Sequence, residues 1–231
     1  MKRNYPNYYS LQNVELLKFL TVTQKNDVLE ILDYKKFKKK EIIYSCNEKS
    51  KRLFFVLNGS VKISKYSNEG KEMITNILKS GGVFGVESIF NNQSDYYSEV
   101  AEALEETLFF SLSIKDIRKF IDVNFEFGQS VNELIGNAYN KSQKRLEILV
   151  FKKAPERIKA FIKQITDEDG KKLFNNEEYI VKTILTHSDI SKITSTTRQT
   201  VTTTLNKLER DNVLIYDRTS ILIKNYHALC S

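Results

Sequence analysis

The stretch Thr186–Leu214, THSDISKITSTTRQTVTTTLNKLERDNVL, constrains this chain more than any other. Its spacing predicts two short helices joined by a tight turn and followed by a hairpin. Thr186 fits an N-cap with Asp189 three residues on, a variant capping box, and Ile190 and Ile193 form the apolar side. A turn over Thr194–Thr196 follows. The second helix opens at Thr197 and carries Val201, Leu205 and Leu208 at a spacing of four then three, which is one helical face. Its other face is Arg198, Gln199, Thr202, Thr203 and Asn206, forked or short hydrogen-bonding side chains of the kind that read base edges in a major groove. An amphipathic helix pair is ordinary by itself. Here two strands, Val213–Tyr216 and Ser220–Lys224, bracket Asp217–Thr219 as a wing, and a helix-turn-helix with a wing reads as a DNA-binding unit.

Charge agrees with that reading. The 231 residues carry 36 Lys and Arg against 29 Asp and Glu, a net +7, and such a surplus suits a polyanion because neutralised phosphates release counterions. The dense run Lys35, Lys36, Lys38, Lys39 and Lys40 lies far from the helix pair and reads as a solvated strand edge. Two cysteines, Cys46 and Cys230, make no disulfide framework, and Cys46 reads as strand filling. With only His187 and His227 and no ligand cluster, neither a metal nor a cofactor is expected. No run approaches the roughly 20 apolar residues of a membrane span, and no signal peptide is visible. A cytoplasmic protein with reduced thiols follows.

The chain falls into three parts by texture. Residues 11–33 read as short helices. From about 37 to 113 come short β-type runs (Glu41–Tyr44, Leu53–Leu57, Val61–Tyr66, Met73–Leu78, Leu108–Ser113) broken at Asn58-Gly59, Asn68-Glu69-Gly70 and Gly81-Gly82. Such runs argue for a barrel or sandwich. A helix over Ile114–Asp122 leads into a long helical pattern, Asn124–Phe151, in which Val131, Leu134, Ile135, Ala138, Leu146, Leu149 and Val150 keep the apolar period. A helix that long usually buries its stripe against a partner helix, so Ile135→Asp or Leu146→Asp is expected to weaken a dimer. Pro155 suits an early helical position, which makes Phe151–Ala154 the hinge.

In this order the elements resemble the Crp–Fnr family of transcription regulators, relatives of the bacterial catabolite activator protein. The segment Arg52–Phe90 carries the NGSV, NEGKEMI and FG elements of the family's β-roll, SIKDIRKFIDVN matches the approach to the central helix, and TRQTVTTTLNKLERDNVL matches the recognition helix and its exit. The resemblance spans about residues 20–227. It implies an α+β chain: a cyclic-nucleotide-binding-type β-roll (jelly roll) with N-terminal helices over 1–123, a central dimerisation helix over 124–151, and a winged helix-turn-helix over 152–231. It implies a homodimer on a near-palindromic double-stranded DNA operator, with RNA polymerase as a further partner and an effector pocket between β-roll and central helix.

The family's base-reading pattern is an Arg-Glu pair at the start of the recognition helix and an Arg one turn later. Here Arg198 is retained, Gln199 replaces the Glu, and Thr203 stands for the later Arg. Arg198 forks onto guanine, whereas Gln199 prefers adenine to the cytosine amine. The half-site should therefore keep one guanine and lean towards A/T elsewhere. Thr197 and Thr202 are the expected phosphate contacts, which position without specifying.

The effector side departs further. Cyclic-nucleotide binders of the family hold the phosphate with a Gly-Glu element and an Arg-Ser or Arg-Thr pair. Gly85 is present, and the acid falls on Val86 without a gap or on Glu87 with one. The Arg position holds Tyr97, with Ser98 as its partner, and without that charge a buried phosphate lacks its counter-ion. Cyclic AMP is thus not the expected ligand. Ser142 and Gln143 occupy the central-helix positions where family members touch the base, so an unknown small-molecule effector or a contact across the dimer both fit them. The iron–sulfur and haem sensor types lack their ligands here. No nucleophile–base set or phosphate loop suggests an enzyme. The other class to weigh is a small-molecule sensor module without DNA output, which the recognition helix argues against.

Overall fold

The computed structural model describes residues 14–49, 51–89, 96–173, 178–217 and 219–229. Cys230, Arg218, and residues 1–13 and 90–95 lie outside them. The chain folds as two compact units, Met1–Asn140 and Lys141–Ser231. The boundary falls inside the longest helix.

In the first unit, helix α1 (Val22–Ile31) precedes the strands. Thr21 caps it: its hydroxyl accepts the Gln24 N–H, while the Gln24 side chain accepts the Thr21 N–H. Strands β1 (Asp33–Phe37), β2 (Ile42–Tyr44), β3 (Arg52–Asn58), β4 (Val61–Tyr66), β5 (Glu72–Leu78), β6 (Val83–Phe84), β7 (Val100–Ala103) and β8 (Thr107–Ser113) form two antiparallel four-stranded sheets. Their orders are β1-β8-β3-β6 and β2-β7-β4-β5. The lysine run meets this architecture at an edge: Lys35 and Lys36 lie on edge strand β1, and Lys38–Lys40 turn away from it.

Strand β3 shows why this arrangement holds. Its run LFFVL is apolar on both sides because both faces are covered, as a doubly buried strand requires. Leu53 and Phe55 join Phe110 and Leu112 of β8 in a core with Leu17, Val28, Ile117, Phe127 and Val131, which sets helices against one sheet. Phe54 and Val56 point the other way, into the roll, with Phe84, Phe109, Tyr44, Val61, Ile63, Tyr97 and Ala101. Each fully buried large side chain contributes about 1.5–3 kcal/mol. The corner from β3 to β4 needs glycine. Gly59 has φ of +91°, and a Cβ there would stand 2.7 Å from the Glu106 carbonyl oxygen.

Helix α2 (Ile114–Val123) starts on Ser113, whose hydroxyl accepts the Asp116 N–H. Helix α3 (Phe125–Phe151) follows, 27 residues long. Only its first turns are buried, through Phe127, Ser130 and Val131, and Leu134 and Ile135 rest half-buried on the same core. Beyond them Tyr139, Leu146, Val150 and Phe151 are 55–81% exposed.

The second unit holds the end of α3, α4 (Ala154–Asp169), strands β9 (Lys171–Lys172) and β10 (Tyr179–Lys182), α5 (His187–Ile193), α6 (Arg198–Arg210), β11 (Leu214–Tyr216) and β12 (Ser220–Ile223). The strands make one sheet of order β11-β12-β10-β9. The wing hairpin β11–β12 thus continues into β10, which pairs Tyr179 with Ile223 through Lys182 with Ser220. Ile158, Ile162, Val181, Ile190, Val201, Leu205, Leu214, Ile221 and Ile223 are buried in this unit.

Candidate nucleic-acid interface

The reading helix is fixed at both ends and along one side. Thr197 is its N-cap, with the hydroxyl accepting the Thr200 N–H at 3.1 Å and sharing a hydrogen bond with the Thr200 hydroxyl. Val201, Thr204, Leu205 and Leu208 turn inwards and are buried. Arg198, Gln199, Thr203 and Asn206 are exposed on the opposite face, and Thr202 is half-exposed beside them. Propensity alone would not hold a helix containing Thr200, Thr202, Thr203 and Thr204, because β-branched side chains lose rotamer freedom there. The buried apolar face and the cap do so. Lys207 and Arg210 in the last turn complement the helix dipole.

Helix α5 starts on a complete capping box. The Thr186 hydroxyl accepts the Asp189 N–H, and the Asp189 carboxylate accepts the Thr186 N–H at 2.9 Å. His187, the first residue of α5, sets its Nδ1 at 2.9 Å from the Thr202 hydroxyl, which itself donates to the Arg198 carbonyl. Both bonds are made when Nδ1 carries the proton. Burial, and after it the Arg198 charge, lowers the His187 pKa below its usual value, so the ring is neutral at neutral pH. The ring also meets Tyr216 of the wing edge-on at 5.0 Å, and Tyr216 donates to the Leu185 carbonyl at 2.8 Å. First helix, reading helix and wing are thereby locked to one another.

The turn between α5 and α6 takes an unusual backbone, with Ser195 at φ of +51°. Two arginines hold its carbonyls. Arg145 Nη2 donates to the Ile193 oxygen at 2.9 Å, and Arg157 Nη2 donates to the Ser195 oxygen at 3.0 Å. No sequence signal marks these contacts, because their acceptors are backbone atoms.

On the effector side the structure places Tyr97 inside the roll, 5% exposed. Its ring stacks on Tyr44 with centroids 3.8 Å apart, and its hydroxyl donates to the Arg52 carbonyl at 3.2 Å. Burial raises the Tyr97 pKa, so the phenol stays a neutral donor. Tyr44 also tilts against Phe54 and stacks on Phe84, and Phe54 meets Phe109 edge-on at 5.5 Å. Aromatic side chains therefore occupy the interior between the two sheets. Gly85, at φ of +80°, turns the chain out of β6, and a Cβ there would meet the Arg52 oxygen at 2.8 Å. Glu87 lies in the short 3-10 turn Val86–Ile89, and Ser98 is exposed beside Tyr97. Ser142 and Gln143 are exposed on α3 in the second unit. Cys46 is free, in the turn after β2 and not in a strand. Among the described residues no group of His, Cys, Asp and Glu is placed to hold a metal ion, and no helix is long and apolar enough to cross a membrane.

A two-sheet roll followed by a long helix and a winged helix-turn-helix defines a class of two-part regulator. Residues 34–124 match the cyclic nucleotide-binding domain, and residues 156–231 match the Crp-like helix-turn-helix domain. Electron transport regulator A of Shewanella oneidensis is 23% identical over 211 residues, 91% of this chain and 82% of that protein. The fumarate and nitrate reduction regulatory protein of Yersinia pestis is 24% identical over 200 residues, 86% of this chain and 78% of the other. Among solved structures, FixK2 from Bradyrhizobium japonicum shares the fold at a TM-score of 0.76 and 18% identity, covering 87% of this chain and 96% of that one. A CooA mutant from Carboxydothermus hydrogenoformans does so at 0.75 and 23%, covering 88% of each. The chain belongs to the Crp–Fnr family of DNA-binding transcription regulators.

Proposed function

We propose that this chain acts as a homodimer, joined along α3, that reads a near-palindromic operator with α6 and does so without a cyclic nucleotide. The observation that carries the reading is the exposed set Arg198, Gln199, Thr203 and Asn206 on a helix whose other side is fully buried. Arg198 forks onto guanine O6 and N7, Gln199 pairs with adenine N6 and N7, and Thr203 takes a thymine methyl. Thr197 and Thr202 face the phosphates with hydroxyls oriented by their intramolecular bonds. Two-fold symmetry sets the half-site centres one helical turn apart, about 34 Å. RNA polymerase is the further partner that a regulator of this kind engages.

The exposed stripe Tyr139, Leu146 and Val150, at a spacing of seven then four with Gln143 between, supports the dimer seam. Ile135 serves less well as a probe of that seam than its sequence position suggests, because it rests half-buried on the core of the first unit.

Binding should fall linearly in log affinity against log salt. Six to ten phosphate contacts would cost about 10³–10⁵ in affinity between 50 and 200 mM salt. A titration of the selected duplex by anisotropy checks this, and a flat salt response would remove DNA from the reading. Cyclic AMP should leave the melting temperature unchanged, since Tyr97 and its aromatic neighbours fill the roll and no arginine stands at position 97. A bound ligand at a hundred times its Kd would add about 2.7 kcal/mol, so a clear upward shift would contradict the closed interior.

A further inference from the structure

Helix ends leave carbonyls without partners, and two of these, with a third carbonyl from the adjoining turn, converge here on two guanidinium groups. Ile193 closes α5, and its oxygen accepts from Arg145 Nη2 at 2.9 Å. Leu149 lies in the last turn of α3, and its oxygen accepts from Arg157 Nη1 at 3.5 Å. The other arm of Arg157, Nη2, reaches the Ser195 oxygen at 3.0 Å, at the left-handed residue of the helix-turn-helix turn. One guanidinium thus joins the end of the central helix to the turn, and a second, carried on that same helix four residues before Leu149, holds the carbonyl just before the turn. Arg145 is half-buried and burial lowers its pKa, so its charge is desolvated for this contact instead of being left in water. Positive groups at the carbonyl end of α5 also suit that helix dipole.

We infer that Arg145 and Arg157 are positioning residues for DNA reading: they hang the turn before α6 from the C-terminal end of α3 and so fix where the reading helix stands relative to the dimer axis. Neither side chain belongs to the exposed reading face. Their role is to set the separation and pitch of the two heads, and hence the half-site spacing the dimer accepts. Arginine fits because its planar fork holds two acceptors in fixed directions, which a lysine ammonium does not. The inference rests on the dimeric DNA reading proposed above.

The test uses the full-length protein and three duplexes: the operator it selects, and the same half-sites with one base pair added or removed between them. The wild type should discriminate sharply among the three. Arg145→Gln and Arg157→Gln, singly and together, should lower that spacing discrimination by about two- to thirtyfold, the scale of coupling that positional networks carry. Affinity for an isolated half-site should change little. A structural role alone would lower the active fraction and leave the discrimination of the remainder intact. Unchanged discrimination in folded variants overturns the inference. Should the glutamine variants fail to fold, Arg145→Lys and Arg157→Lys, which keep the charge and lose the fork, give the same reading: relaxed spacing supports the clamp and wild-type spacing overturns it. If the wild type itself selects no two-fold site, the DNA reading has failed, and the clamp falls with it.

Discussion

Arg198→Ala should weaken binding to the selected operator by about 1–3 kcal/mol, roughly five- to 150-fold, and relax preference at one base pair per half-site. Arg198 opens α6 and is exposed, so its removal leaves the Thr197 cap and the buried Val201–Leu205–Leu208 face in place. Its carbonyl, which accepts from Thr202, also survives the change. The loss is therefore one of readout, with the fold retained. A phosphate-only role predicts something different: weaker binding to every sequence alike and a salt slope reduced by about one. Competition titrations with all four bases at the affected position separate the two. Equal weakening across the four would take Arg198 out of base reading.

The second large effect concerns assembly. Leu146 and Val150 are 55% and 63% exposed in the single chain, so Leu146→Asp with Val150→Asp should leave each protomer folded. In a dimer seam the same change places four carboxylates where apolar side chains pack, and each unpaired buried charge costs several kcal/mol. The dimer dissociation constant should rise by at least about a hundredfold, equivalent to 2.8 kcal/mol. Sedimentation velocity at micromolar concentration measures it, with a thermal melt to check folding. An unaltered sedimentation coefficient in a folded variant would put the interface elsewhere. Operator binding should weaken in parallel, because each half-site then binds alone.

Much of this was legible because burial and local chemistry leave their mark in sequence. Strand β4 runs over the expected Val61–Tyr66, since Asn58-Gly59 and Asn68-Glu69-Gly70 punctuate both sides. The capping residues Thr186 and Thr197 announced two helix starts through side chains made for that task. Strand β7, Val100–Ala103, was not legible. Two alanines and a glutamate carry no β signal, and its place comes from pairing with β2 and β4. The wing was readable as a hairpin, yet its extension by β10 depends on a pairing between residues about 40 apart. At the site, the replacement of an arginine by Tyr97 could be read from its position. That Tyr97 stacks on Tyr44 could not, because the two belong to separate segments brought together by the roll. The arginine contacts to Ile193 and Ser195 were hidden for another reason: a carbonyl acceptor is present at every residue and distinguishes none.

Selection from random duplex DNA with the purified protein and no added effector decides whether this chain is a dimeric operator reader. Enrichment of a two-fold symmetric site is expected, with half-site centres about 10 base pairs apart, one fixed guanine per half-site and an A/T-leaning remainder. A folded dimer that enriches nothing until a cyclic nucleotide is supplied would overturn that reading.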